Sequence, residues 1–217
     1  GWNKTINAGT SISSIITSGI VAKLQSVDIR LQIMPEACRA ILFCSADLNI
    51  SGNSWRKDIS RGTGNGKDGV GKANIRIAMD IAFRFVKDKY QSQPCGWLFG
   101  LIDNTMFGDS TDDKLRSTEC IGKIGVPYDF HNSYYLNKDD IIYRNITVSL
   151  SWTSNKNNFT VNDIPYDSRF SCYPRVDLDL EIYDINDNLI AHSCTHDNNN
   201  EIIDFNGVIG EEYFIYV

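Results

Sequence analysis

Apolar residues recur at two different spacings in this chain, and the switch between them limits the folds open to it. Over residues 11–86 the spacing is helical. Ile12, Ile15, Ile16, Ile20, Val21 and Leu24 line one wide stripe. The segment PEACRAILFCSAD turns Ala37, Ala40, Ile41 and Cys44 inward. Its Pro35 stands in the first turn, where a missing N–H costs nothing. In ANIRIAMDIAFRFV, Ile75, Ala78, Met79 and Ala82 share a side. From about residue 95 the period is two. NITVSLSW alternates Ile146, Val148, Leu150 and Trp152 with Asn, Thr and Ser. VDLDLEIYD does so with Val176, Leu178, Leu180 and Ile182, and EEYFIYV closes in the same style. Such alternation predicts antiparallel strands with one wet face, separated by turns at NDN and NG. The polar KDKYQSQPC, residues 87–95, marks the boundary, giving a helical unit over 1–88 and a β-sandwich over 89–217.

Charge and apolar runs remove several function classes. The net charge is −6 with no basic run, which argues against a nucleic-acid partner. No apolar run approaches the roughly 18 residues of a membrane span, so no membrane partner is expected. The six cysteines form no C-x-x-C pair, which excludes zinc ribbons and thioredoxin-type redox motifs. Cys38 and Cys44 are predicted to be buried thiols, and Cys95, Cys120, Cys172 and Cys194 are available for disulfides. Sequons begin at Asn3, Asn49, Asn145 and Asn158, which together with the cysteines suggests a secreted or extracytoplasmic location. The chain opens on Gly1-Trp2-Asn3 with no signal peptide in view, as expected of a fragment or processed product.

Gly9-Thr10-Ser11 stands directly before the first helical stripe. A hydroxyl there ordinarily caps a helix by accepting a backbone N–H, and Ser11 is the predicted N-cap. It is also where a nucleophile would profit from the positive end of a helix. Further on come a Pro-initiated helix ending in Ser45-Ala46, then Gly69-Val70-Gly71-Lys72-Ala73-Asn74 opening another helix. This ordered set, over residues 7 to 83, resembles the carboxy-terminal third of the subtilisin-like serine proteases. The strands resemble the jelly-roll-like sandwich that follows the catalytic domain in several of them. The resemblance implies an α/β fold, here the C-terminal portion of a subtilisin-like domain, followed by an all-β sandwich. It implies that Ser11 is the nucleophile, that Gly9 and Thr10 form its supporting turn, and that the substrate is a polypeptide. The catalytic Asp and His, and the oxyanion Asn, would lie in a preceding part of the catalytic domain. His131, His192 and His196 match none of their motifs, so these residues alone are expected to be inactive. The sequence departs from the family at Ile12, Ser13 and Ser14, where small alanines are usual, and at Ile15, where proline is usual. Those departures favour the alternative, a non-catalytic relative whose sandwich serves as a binding or assembly module.

Other constellations read more plainly. Gly64-Asn65-Gly66-Lys67-Asp68-Gly69 satisfies G-x-G-x-x-G but follows a polar segment rather than a strand, so it reads as a loop. His192, Cys194 and His196 would share one face of a strand and are metal-ligand types, without an evident fourth ligand or supporting shell. Asp184, Asn186 and Asn188 alternate oxygen ligands but lack the glycine and distal glutamate of a calcium loop, so a hydrogen-bonded turn is expected. No cofactor or catalytic metal is required. A structural calcium in such a sandwich loop is the one ion the resemblance allows. Asp103, Asp109, Asp112 and Asp113 read as a solvated loop, and Tyr134-Tyr135 as packing.

Overall fold

The computed structural model describes residues 10–47, 70–90, 92–100, 120–126, 143–153, 178–194 and 199–217. Within them the helices are α1 (Thr10–Val27), α2 (Pro35–Cys44) and α3 (Ile75–Ala82), with a 3-10 turn at Ile29–Gln32. The strands are β1 (Gly122–Gly125), β2 (Tyr143–Ser151), β3 (Leu180–Tyr183), β4 (Leu189–Ser193), β5 (Asn200–Val208) and β6 (Glu212–Tyr216). They form two antiparallel sheets, one in the order β1-β6-β3-β4 and one pairing β2 with β5. The protein is thus mixed α/β with substantial β content.

The helices pack around Leu24, Leu31, Ile41, Ala78 and Ala82, all of them buried. Small alanines on α3 let it lie close to α1 and α2. The α1 stripe is only half used. Ile20 and Leu24 are buried, whereas Ile15 and Ile16 are 73% and 56% exposed, because α3 and the 3-10 turn pack on α1 and its N-terminal half stays open. On α3 the buried face is Ala78, Ile81 and Ala82, and Ile75 is exposed rather than inward. The expected α2 face holds for Ala37 and Ile41. Cys44 is half-buried, and Cys38 is buried with its thiol 3.4 Å from the Leu31 carbonyl. Burial, then the Glu36 charge, pushes the Cys38 thiol pKa up.

Asp28 joins α1 to the 3-10 turn. Its carboxylate accepts the Arg30 backbone N–H (3.0 Å) and Arg30 Nε (2.8 Å), and it also pairs with Arg30 Nη2. The same guanidinium lies 3.7 Å over the Phe85 ring centroid. The Arg30 side-chain bonds hold the Asp28 carboxyl below its ordinary pKa, outweighing partial burial. A carboxylate depressed in the folded state contributes stability above its unfolded pKa, and that contribution is lost as pH falls through the folded value. Asp28→Ala should therefore cost about 1 kcal/mol near neutrality. The difference from wild type should shrink below about pH 4, read by urea unfolding across pH.

Trp97 belongs to the helical core although it follows the polar boundary segment. Its indole N–H donates to the Ala82 carbonyl (3.0 Å), and its ring meets Phe85 edge-on at 4.8 Å. Two backbone bonds hold it there, Trp97 N to Arg84 O (3.0 Å) and Val86 N to Trp97 O (2.8 Å). Gly96 makes this approach feasible. A Cβ there would sit 2.5 Å from the Arg84 carbonyl oxygen and 2.9 Å from Val86 Cγ2, at a φ of +154°. Gly96→Ala should destabilise by about 1–3 kcal/mol, with a matching fall in the denaturation midpoint.

Between the two sheets, Ile146, Val148 and Leu150 from β2 and Ile203 and Phe205 from β5 meet Leu180, Ile182 and Tyr213 of the other sheet. The opposite face of β2, expected to be wet, is partly covered by α2. Ser149 Oγ donates to the Ala40 carbonyl (2.7 Å), and the Cys44 thiol meets the Thr147 carbonyl at 3.2 Å. Ile202, on that face of β5, packs against Phe43 and Val70. Of the hydroxyls that this polar alternation marked, Ser149 bonds to a helix carbonyl and Thr147 to Asp204 on the neighbouring strand. Asn206-Gly207, predicted as a turn, lies inside β5, and the chain reverses at Ile209-Gly210 instead. Gly207 is there for space. A Cβ would stand 2.4 Å from Ile146 Cδ1 and 2.9 Å from Val126 Cγ2.

Candidate functional site

Thr10 and Ser11 occupy the first turn of α1, and both are exposed. The helix starts at Thr10, so Ser11 is its second residue and not the predicted cap. Gly9 lies outside the described residues. The first turn of α1 carries no acidic side chain, so no carboxylate of that turn offsets the positive helix end. A hydroxyl there is open to a carbonyl substrate, and the N-terminal N–H groups that lack helical partners are natural donors to a developing oxyanion.

The elements that follow α1 in the chain are linked by polar contacts. Asp47, just past α2, pairs with Lys72 in both directions through the backbone (2.8 and 3.1 Å). Gly71 takes a φ of +119° beside this bridge. Asn74 then serves twice. Its Oδ1 accepts the Ile77 N–H (3.2 Å) and caps α3, while its Nδ2 donates to Asp47 Oδ1 (2.9 Å). Sequence reasoning placed Asn74 at a helix start but missed the tie to Asp47, which no spacing rule across residues 47–74 announces.

The remaining candidates sit elsewhere. His192 is exposed on β4, opposite Glu181 of β3. Cys194 is exposed, and Ser193 between them is buried and donates to Glu201. The expected alternation of faces is therefore seen at these positions. Asp184 closes the β3–β4 turn by accepting Asn186 N (2.8 Å), Asn188 N (2.9 Å) and Asn188 Nδ2 (2.8 Å), with Asp187 at a φ of 61°. The bonds from Asn188 hold the Asp184 carboxyl below its usual pKa. This is the hydrogen-bonded turn expected of those Asx residues. Among the described residues no group of three or more His, Cys, Asp or Glu could hold a metal ion, and no helix is long and apolar enough to cross a membrane. Cys95 is exposed and Cys120 buried. His131, His196, Cys172, the Gly64–Gly69 loop, the acidic residues from Asp103 to Asp113 and Tyr134-Tyr135 lie outside the described residues. No protein-family model, no curated protein and no solved structure matches the chain.

Proposed function

We propose that this chain is the C-terminal part of a subtilisin-like serine endopeptidase, with Ser11 as its nucleophile and a jelly-roll-like sandwich attached. The observation that carries the reading is the exposed Ser11 hydroxyl on the first turn of α1. Its support is the order of elements behind it, with a Pro-led α2, the Asp47–Lys72 bridge and the Asn74-capped α3.

On this reading Ser11 Oγ attacks the scissile carbonyl while a histidine outside these 217 residues takes its proton. The amine leaves with that proton, and water then clears the acyl-enzyme. Without such a base the hydroxyl is a weak nucleophile, so the 217 residues alone hydrolyse nothing. The test joins the chain to the coding sequence that precedes it and exposes the product to a fluorophosphonate probe. A covalent adduct mapped to Ser11 supports the reading. A well-folded product that stays unlabelled, or an adduct at another serine, sinks it.

A further inference from the structure

We propose that Asn145 is an N-glycan acceptor and that the first sugar packs on the ring of Tyr143. Asn145-Ile146-Thr147 is a sequon, and of the chain's four it is the one whose Asn lies in a described segment. It falls on β2, where alternate residues share a face. Ile146 turns into the sandwich core, whereas Asn145 and Tyr143 are exposed, Tyr143 by 58%. Both lie on the face that α2 covers further along. Ser149 meets Ala40 and Thr147 meets Cys44, the last residue of α2, so Asn145 and Tyr143 emerge beyond that helix end. The cross-strand neighbour of Asn145 is Asn206, also exposed. Nothing in the described packing calls for an exposed phenol ring here. Two positions along a strand are about 7 Å apart, which a sugar one amide side chain from the backbone spans. The apolar C–H face of a hexosamine is complementary to the negative face of an aromatic ring.

The sequon hydroxyl serves in sequence. In the extended chain Thr147 is read by the transferase. In the folded chain its Oγ1 donates to Asp204 Oδ1 (2.6 Å) across the strand pair. The donor is a lipid-diphosphate-linked oligosaccharide. Asn145 Nδ2 forms a bond to C1 of the first sugar as the C1–O bond to the diphosphate breaks. The amide gives up one proton to a base of the transferase, and the lipid diphosphate leaves, with no change in oxidation state.

The proposal needs delivery to a compartment holding that transferase but no proteolytic activity, so its outcome is independent of the role of Ser11. The full chain behind a secretory leader is produced in eukaryotic cells, and glycopeptides are mapped by mass spectrometry from cells and medium together. Glycan at Asn145, absent from Asn145→Gln, is the expected result. An unmodified Asn145 overturns the proposal. Ring packing is read by melting. Asn145→Gln should lower Tm by about 2 °C in protein from these cells, and by nothing in a Tyr143→Ala background. The same loss in both backgrounds overturns the part assigned to Tyr143.

Discussion

If Ser11 is the proposed nucleophile, Ser11→Ala is expected to abolish labelling by a serine-directed probe and to lower kcat by about 10⁶-fold in the protein joined to its preceding sequence, the scale on which removing a serine nucleophile acts. The same change should leave folding stability within about 0.5 kcal/mol. Ser11 is exposed in the first turn of α1, and alanine is at least as good a helix former. This split between a large kinetic loss and a small thermodynamic one separates a nucleophile from a helix-stabilising serine, which would lose stability and keep whatever activity exists. Probe labelling, peptide hydrolysis and thermal unfolding on the same preparation decide between them. Retained hydrolysis in the Ser11→Ala protein would remove Ser11 from the chemistry.

Trp97→Ala should be more damaging than Gly96→Ala, costing about 3–5 kcal/mol and lowering Tm by roughly 10 °C for a chain of this size. The ring is buried among α1, α2 and α3 side chains, with Phe85 against its edge and the Arg30 guanidinium 5.4 Å from its centroid. Truncation leaves a cavity and deprives the Ala82 carbonyl of its indole donor. Trp97→Phe separates the two contributions. It keeps much of the volume and loses the N–H, so it should cost about 1–2 kcal/mol. Denaturant midpoints for the two variants give the comparison, and a Trp97→Ala loss below about 1 kcal/mol would show that the ring is not a core residue.

What the sequence disclosed, and what it hid, follows from which neighbours each pattern depends on. Period is a local property, so α1, α2, α3, β2, β3 and β6 were all legible from spacing. The side of an element that meets a partner is not local. Ile15 and Ile16 carry the same spacing as Ile20 and Leu24, yet only the second pair is met by α3 and the 3-10 turn. The serines and threonines of β2 looked like a solvent face because a hydroxyl satisfied by a helix carbonyl, as at Ser149, or by a cross-strand carboxylate, as at Thr147, is compositionally the same as one satisfied by water. Asn206-Gly207 has turn chemistry, but Gly207 answers to side chains distant in sequence, those of Val126 and Ile146. Trp97 falls past a polar stretch that looks like a linker, and its place depends on a bridge between Phe85 and Trp97 that no periodicity encodes. For the candidate site, the Gly-Thr-Ser triplet and the helix after it were visible, but the predicted cap Ser11 lies inside that helix, and the Asn74–Asp47 tie further along the chain was not visible.

The α2–β2 contact bears on how this protein can be dissected. Its bonds run from side-chain hydroxyl or thiol to main-chain carbonyl, at distances set by direction as much as by proximity. A recombinant piece starting at residue 120 would strip Ser149 of its acceptor and lay Ile202 bare, so the strands would be produced with a sticky, unpaired flank. Expression of the strand half by itself should therefore yield aggregates, whereas cuts that keep α2 attached should give tractable material.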